Sequence, residues 1–217
     1  MSVENDRTVN AYIVASERYI EVEERHVGDG SGDKYQKLEQ FILEAYQPLP
    51  DGASILEIGA GPGIDAQRLR DKFGYIVTAS DIDAPGFVDA VRKRGFEPVV
   101  FNIVKDDPPG IYNGVFCWRV LQHLMPKDVE IALGKIYSAL RNGGRCLLST
   151  MNREASEVDF QEIDFDGEYH IGVPRTFYYW RESDLSRLIK QAGFRIVHSF
   201  KDGGKQGNKW LVYILEK

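Results

Sequence analysis

The stretch Ile55-Leu56-Glu57-Ile58-Gly59-Ala60-Gly61-Pro62-Gly63-Ile64-Asp65-Ala66 limits the possible folds more sharply than any other part of the chain. A short apolar run stops at three alternating glycines, and helical character begins directly after them. Glycine lets the backbone turn sharply and lets a ligand come closer than a Cβ would allow, while the first N–H groups of the helix face that ligand. The pattern is a nucleotide-type site at the carboxyl end of a central strand. Downstream the chain keeps alternating. Strands are predicted at Tyr75–Ser80, Pro98–Ile103, Val115–Trp118 and Arg145–Thr150, separated by helices at Ile64–Phe73, Gly86–Arg94 and Lys127–Leu140. Short, continuously apolar strands between amphipathic helices indicate a parallel sheet covered on both faces, an α/β doubly wound fold.

The flanks have their own patterns. Tyr12, Ile13, Tyr19 and Ile20 are spaced like one face of a helix, which the breaker Gly28-Asp29-Gly30-Ser31-Gly32 ends. A second helix, Lys34–Tyr46, runs to the turn Pro48-Leu49-Pro50-Asp51-Gly52. The expected organisation is an N-terminal helical cap over residues 1–50 and a ligand-binding domain over 51–217 with an insertion at 152–180. After the aromatic run Phe177-Tyr178-Tyr179-Trp180 come a helix at Glu182–Gln191 and strands near Phe194–Phe200 and Lys209–Leu215. Gly203-Gly204-Lys205-Gln206-Gly207 between those strands is short enough for a hairpin. The expected sheet is therefore seven-stranded, mostly parallel, and ends in a C-terminal antiparallel hairpin.

Charge bears on partners. Against 27 basic residues stand 33 acidic ones, a net charge of −6, whereas affinity for nucleic acid normally needs a basic face. Nucleic acid is disfavoured, although the segment from Leu185 onward is basic. No run approaches the roughly 20 apolar residues of a membrane helix, and the acidic N-terminus lacks a signal-peptide pattern. Two cysteines, Cys117 and Cys146, form neither a disulfide framework nor zinc-ligand spacing. A soluble protein of the reducing cytoplasm is expected, with oligomeric state open. The acidic run Asp159, Glu162, Asp164, Asp166, Glu168 and His170 lacks the glycine and spacing of a calcium loop, so it is read as a solvated insertion and no metal is expected.

Two ligand classes compete for the glycine loop. Gly61-Pro62-Gly63-Ile64-Asp65-Ala66 fits the dinucleotide pattern, with Asp81 about where a ribose carboxylate would stand. Glu57 argues the other way: an anion just before the glycines repels a pyrophosphate but can hold the ammonium of a methionine moiety. S-adenosylmethionine (SAM) is the favoured ligand.

These residues resemble the first motif of class I, Rossmann-like SAM-dependent methyltransferases. Val77-Thr78-Ala79-Ser80-Asp81-Ile82-Asp83 is similar to the family's second-strand acidic motif, and Asn113 to Leu124 to its fourth strand and the loop after it. Leu140 to Ser149 resembles the fifth-strand block, and Ala192-Gly193-Phe194 the start of the late hairpin. The resemblance spans about residues 50–217. It implies that Glu57, Gly59, Ala60, Gly61 and Gly63 contact the cofactor, that Asp81 accepts both ribose hydroxyls, and that Ile82 lies against the adenine. Asn102 and Ile103 occupy the adenine-edge position, where many members carry Asp in place of Asn102, and Arg119 follows strand four beside the cofactor. Asp83 is either a helix N-cap or a ligand contact. Asp107-Pro108-Pro109-Gly110 precedes strand four and is read as a plain loop.

In such a reaction the sulfonium is already an activated leaving group, so in-line methyl transfer needs mainly positioning and exclusion of water. A base is required only if the acceptor loses a proton, and the candidates are His123, Tyr12, Tyr19 and Tyr178. The N-terminal helix resembles the segment that folds over the cofactor in small-molecule members, which implies a small-molecule acceptor. A nicotinamide oxidoreductase and a SAM-binding scaffold without catalysis are the alternative readings.

Overall fold

A computed structural model describes residues 3–28, 32–164, 170–203 and 209–217. The expected turn at Gly204–Gly207, part of the breaker at 29–31, and Asp166 and Glu168 lie outside the described residues. In chain order the elements are α1 (Val3–Gly28), α2 (Gly32–Tyr46), β1 (Ser54–Ile58), α3 (Ile64–Asp71), β2 (Ile76–Asp81), α4 (Pro85–Lys93), β3 (Val99–Val100) and β4 (Tyr112–Trp118). They continue with α5 (Pro126–Ala139), β5 (Leu140–Met151), β6 (Phe160–Ile163), β7 (Arg175–Tyr178), α6 (Glu182–Gln191), β8 (Arg195–Asp202) and β9 (Trp210–Glu216).

Seven strands form one sheet in the order β3-β2-β1-β4-β5-β9-β8. The first five are mutually parallel, while β9 runs antiparallel to both β5 and β8. The antiparallel strand is thus inserted one place in from the edge. Because side chains alternate along a strand, each strand serves two cores. Leu56, Ile58, Val115, Cys117, Leu148 and Tyr213 meet α5 and α6 on one face. Ile55, Phe116, Leu147, Val212 and Ile214 meet α2 and α3 on the other. Tyr46 pins α2 there, its hydroxyl donating to the Val115 carbonyl at 2.7 Å.

Three expectations change. The third strand shrinks to Val99–Val100, because Phe101 to Ile103 turn inward and Asn102 starts a tight turn. Asp83 caps nothing: the N-cap of α4 is Ala84, followed by Pro85, and Asp83 is exposed. The acidic insertion is not merely solvated, since β6 and β7 pair antiparallel and β7 docks on α1 through Thr8 Oγ1, which accepts the Thr176 N–H at 3.0 Å. Asp164 organises a turn there, accepting from the N–H groups of Ile171 and Gly172 and pairing with His170.

Helix α1 breaks at Ala15 (φ −105°, ψ 16°), so its two halves take different directions. The first half carries Thr8 and Tyr12 and the second Tyr19. The second half sits so close to α4 that a Cβ at Gly86 would meet Ser16 Oγ at 2.6 Å.

Candidate active site

A cavity of about 580 Å³ lies at the carboxyl ends of β1, β2 and β4, under α1 and beside the start of β9. Its floor is the glycine loop. Gly59 (φ 78°) turns the chain away from β1, and a Cβ there would overlap Val120 in the loop after β4, so only glycine allows the two loops to touch. The N–H groups of Gly59 and Ala60 donate to the Ser80 carbonyl at 2.9 and 3.0 Å. Gly63 (φ 80°) is the N-cap of α3 and packs on Val91 of α4. It does not line the cavity. A Cβ at Gly63 would meet the Val91 side chain at 3.2 Å, so glycine at this position allows α3 and α4 to pack closely.

Asp81 ties the two strand ends together. Its Oδ2 accepts the Gly61 N–H at 2.5 Å and its Oδ1 the Ile82 N–H at 2.6 Å. Burial raises its carboxyl to about 6, against the opposing effect of those two donors. Glu57 is 2% exposed and its Oε2 has no hydrogen-bond partner. Burial first, then the carboxylates of Asp65 and Asp81, hold its carboxyl well above the usual range. A buried carboxylate oxygen without a donor costs free energy until a cation or donor reaches it.

Ile82 and Ile103 line the same cavity with Phe101 and Asn102. The Asn102 side chain is engaged differently from the expectation: its Oδ1 accepts from the N–H groups of Val104 and Lys105 at 3.0 and 3.2 Å. Asparagine builds the turn here, and that carbonyl oxygen is already committed.

Tyr12 and His123 meet under α1. Tyr12 Oη and His123 Nε2 are 3.0 Å apart, and His123 Nδ1 stands 3.0 Å from the Thr176 carbonyl. A carbonyl only accepts, so Nδ1 carries the proton, and Nε2 accepts from the tyrosine hydroxyl. Burial pushes the imidazole down to about 4, so it is neutral at ordinary pH. Burial also raises the phenols of Tyr12 and Tyr19. The two rings pack edge-to-face at 5.3 Å and both rest on Phe87. Tyr178, the remaining base candidate, is not among the cavity-lining residues. It stacks on Phe160 because alternation along β7 turns it away.

Arg119 lines the cavity with φ 61°, the one non-glycine residue with positive φ among the described residues. Such a conformation costs on the order of 1–3 kcal/mol and persists only where the surroundings enforce it. Here its N–H donates to Ser149 Oγ at 3.0 Å and its carbonyl accepts from Gln122 Nε2 at 2.5 Å.

Sequence reasoning missed Thr8, Phe87, Trp118, Lys209 and Trp210 on the cavity wall. It also missed Arg175, 5% exposed and 5.6 Å from the Tyr12 ring centroid. An arginine inside the apolar run Arg175-Thr176-Phe177-Tyr178 was the available signal.

The family described as "Methyltransferase domain" matches residues 32–199. N-demethylindolmycin N-methyltransferase of Streptomyces griseus is 26% identical over 168 residues, covering 66% of this chain and 70% of that protein. Among solved structures, 1,6-didemethyltoxoflavin-N1-methyltransferase of Burkholderia thailandensis, with 1,6-didemethyltoxoflavin and S-adenosylhomocysteine bound, is 21% identical with a TM-score of 0.62. The match covers 93% of this chain and 89% of that one. A S-adenosylmethionine-dependent methyltransferase from Clostridium acetobutylicum superposes with a TM-score of 0.69 at 14% identity, covering 89% and 97% of the two chains.

Proposed function

The chain belongs to this methyltransferase-domain family and is a SAM-dependent methyltransferase, and from that premise we propose that it methylates a nitrogen of a small-molecule acceptor. The orphaned Glu57 Oε2 fits the donor: it is placed to receive the ammonium of the methionine moiety, which would draw the carboxyl back to its ionised form. Asp81 holds the two ribose hydroxyls, each carboxylate oxygen keeping a lone pair beyond its backbone bond. Ile82 and Ile103 cover the adenine, and the backbone of Gly59, Ala60 and Gly61 lies along the chain between ribose and sulfur. When bound, the donor supplies a sulfonium methyl.

The observation that carries the acceptor assignment is the Tyr12–His123 hydrogen bond. The Tyr12 hydroxyl donates to His123 Nε2 and accepts from Arg175, and its remaining lone pair accepts an N–H of the acceptor and aims the nitrogen lone pair at the methyl. His123 acts mainly by orienting Tyr12, because an imidazole held near 4 has little affinity for a proton. Helix α1 excludes water above them. Two of the similar proteins are named N-methyltransferases, which supports the same reading. A cytoplasmic location is part of it, supported by the free, buried Cys117 and Cys146. No helix among the described residues is long and apolar enough to cross a membrane.

The test is calorimetric titration with S-adenosylhomocysteine, then turnover of labelled SAM against a panel of small amines, phenols and thiols. Micromolar cofactor binding and methylated amines are expected. Transfer only to oxygen or sulfur would overturn the acceptor assignment, and binding without any turnover would favour a scaffold.

A further inference from the structure

Alternation along β7 puts Arg175 and Phe177 on the same face, and both meet the Tyr12–His123 pair. The Arg175 guanidinium carbon lies 5.6 Å from the Tyr12 ring centroid and 5.4 Å from that of Phe177, and Phe177 packs on the His123 ring at 4.7 Å. Burial raises the Tyr12 phenol, and Arg175 pulls it back through its charge and through a hydrogen bond to the hydroxyl. Arg175 is 5% exposed and is not among the cavity-lining residues, so its influence on an acceptor passes through Tyr12. On its far side, Arg175 Nη2 stands 3.8 Å from Asp164 Oδ1. That carboxylate accepts the N–H groups of Ile171 and Gly172 at 3.0 and 2.7 Å and pairs with His170, so the backbone leading into β7 fixes it. A guanidinium holds its donors in a rigid plane, and one anchored at Asp164 approaches Tyr12 from a fixed direction.

Resting on the N-methylation reading, we propose that Arg175 is a positioning residue for the reaction: held by Asp164, it occupies one lone pair of the Tyr12 hydroxyl and leaves the other as the direction in which an acceptor N–H docks. A phenol oxygen has one proton and two lone pairs. His123 takes the proton, Arg175 takes one lone pair, and the geometry of the third position follows from the other two. With Arg175 replaced by an apolar side chain, an N–H could dock on either lone pair, and in one of the two poses the nitrogen stands off the line of transfer. The β6–β7 insertion would then belong to the reacting geometry as well as to the cover over the cavity.

Methylation of benzylamine and of aniline at saturating labelled SAM is followed in the full chain, beside calorimetric titration with S-adenosylhomocysteine. Arg175→Met should lower turnover by about tenfold with S-adenosylhomocysteine affinity within about twofold of wild type, and Arg175→Lys should recover part of the loss. Made in a Tyr12→Phe chain, the same Arg175→Met should change turnover by less than about twofold, because the hydroxyl it acts through is gone. Should Arg175→Met fail to fold, Asp164→Asn runs the same cycle: a several-fold loss is expected in the Tyr12 chain and none in the Tyr12→Phe chain, and no loss in either overturns the proposal. An Arg175→Met enzyme as active as the wild type also overturns it. So does an equal loss in both backgrounds, because Arg175 then only supports β7. A wild type that binds S-adenosylhomocysteine yet methylates neither amine strikes the N-methylation reading itself, and the proposal falls with it.

Discussion

The floor of the cavity and its roof are built in different ways. On the floor, Glu57, Gly59, Gly61 and Asp81 lie within 25 residues of one another, and hydrogen bonds between adjacent strand ends hold them, from the Gly59 and Ala60 N–H groups to the Ser80 carbonyl and from the Gly61 and Ile82 N–H groups to the Asp81 carboxylate. In the roof, Tyr12 reaches His123 across 111 positions and Thr8 reaches Thr176 across 168, each through a side chain. The floor is rigid by construction, whereas the roof depends on how α1 settles against α4 and β7. A floor of this kind suits binding a ligand common to many enzymes. A roof of this kind suits the partner that differs from one enzyme to the next.

The largest effect should come from the floor. Asp81→Ala removes the carboxylate that accepts the Gly61 N–H and that we propose holds the ribose, and S-adenosylhomocysteine affinity should fall by about a hundredfold or more in calorimetry. If methylthioadenosine, which shares the ribose, lost nothing, the floor would not bind as described.

Next comes the roof. Tyr12→Phe keeps the ring on Phe87 and deletes only the hydroxyl, so turnover should drop by roughly tenfold to a hundredfold with cofactor affinity within about twofold of wild type. Steady-state kinetics beside a binding isotherm reads this directly. Equal losses in binding and turnover would show that roof and floor act as one unit.

A smaller, steric effect is expected at the seam between them. Gly86→Ala drives a Cβ into Ser16 and should lift the second half of α1, reducing turnover several-fold and costing about 1–3 kcal/mol in denaturant unfolding. Ser16→Gly in the same chain should restore both, and a double variant as impaired as the single would place the clash elsewhere.

The smallest difference concerns acid. His123 is depressed to about 4 in the fold, so as pH falls from about 6.5 to 4 the unfolded chain takes up a proton that the fold refuses, and stability is lost. Asp81 is raised to about 6, so over the same descent the fold binds the proton first and stability is gained. The two slopes oppose each other between pH 4 and 6. Asp81→Asn should steepen the acid loss in urea titrations, and His123→Gln should turn it into a gain. Parallel curves for both variants would mean that neither shift operates.

The same division explains what the sequence revealed. A strand followed by Gly59-Ala60-Gly61 and an acid at Asp81 is local chemistry, readable because each residue's neighbours in the chain are its neighbours in space. The parallel sheet was legible from its continuous apolar runs, and the antiparallel pair from the spacing of the last two strands. Tyr12, Tyr19 and His123 were found as residue types, but nothing near them in the chain says which of them touch. The phase of β7 was not legible: one step along it decides whether a ring packs on His123, as Phe177 does, or on Phe160, as Tyr178 does. The turn that the Asn102 side chain builds was not legible, and Lys209 and Trp210 passed unnoticed because a basic residue before an apolar strand is commonplace.

The place of β9 bears on how the chain acquires its structure. It fills the gap between β5 and β8, although β5 ends at Met151 and β9 begins only at Trp210. Until that late strand arrives, the apolar edge of β5 stands open and β8 has nothing to lie against. Bringing together partners about 60 residues apart is an entropic loss met before any pairing rewards it. Closing this gap should therefore set the pace of refolding, and a chain caught before it closes offers an unpaired strand edge to its neighbours. The yield of native protein should then fall steeply with concentration in the first moments after dilution from denaturant, long before any ligand is present to help.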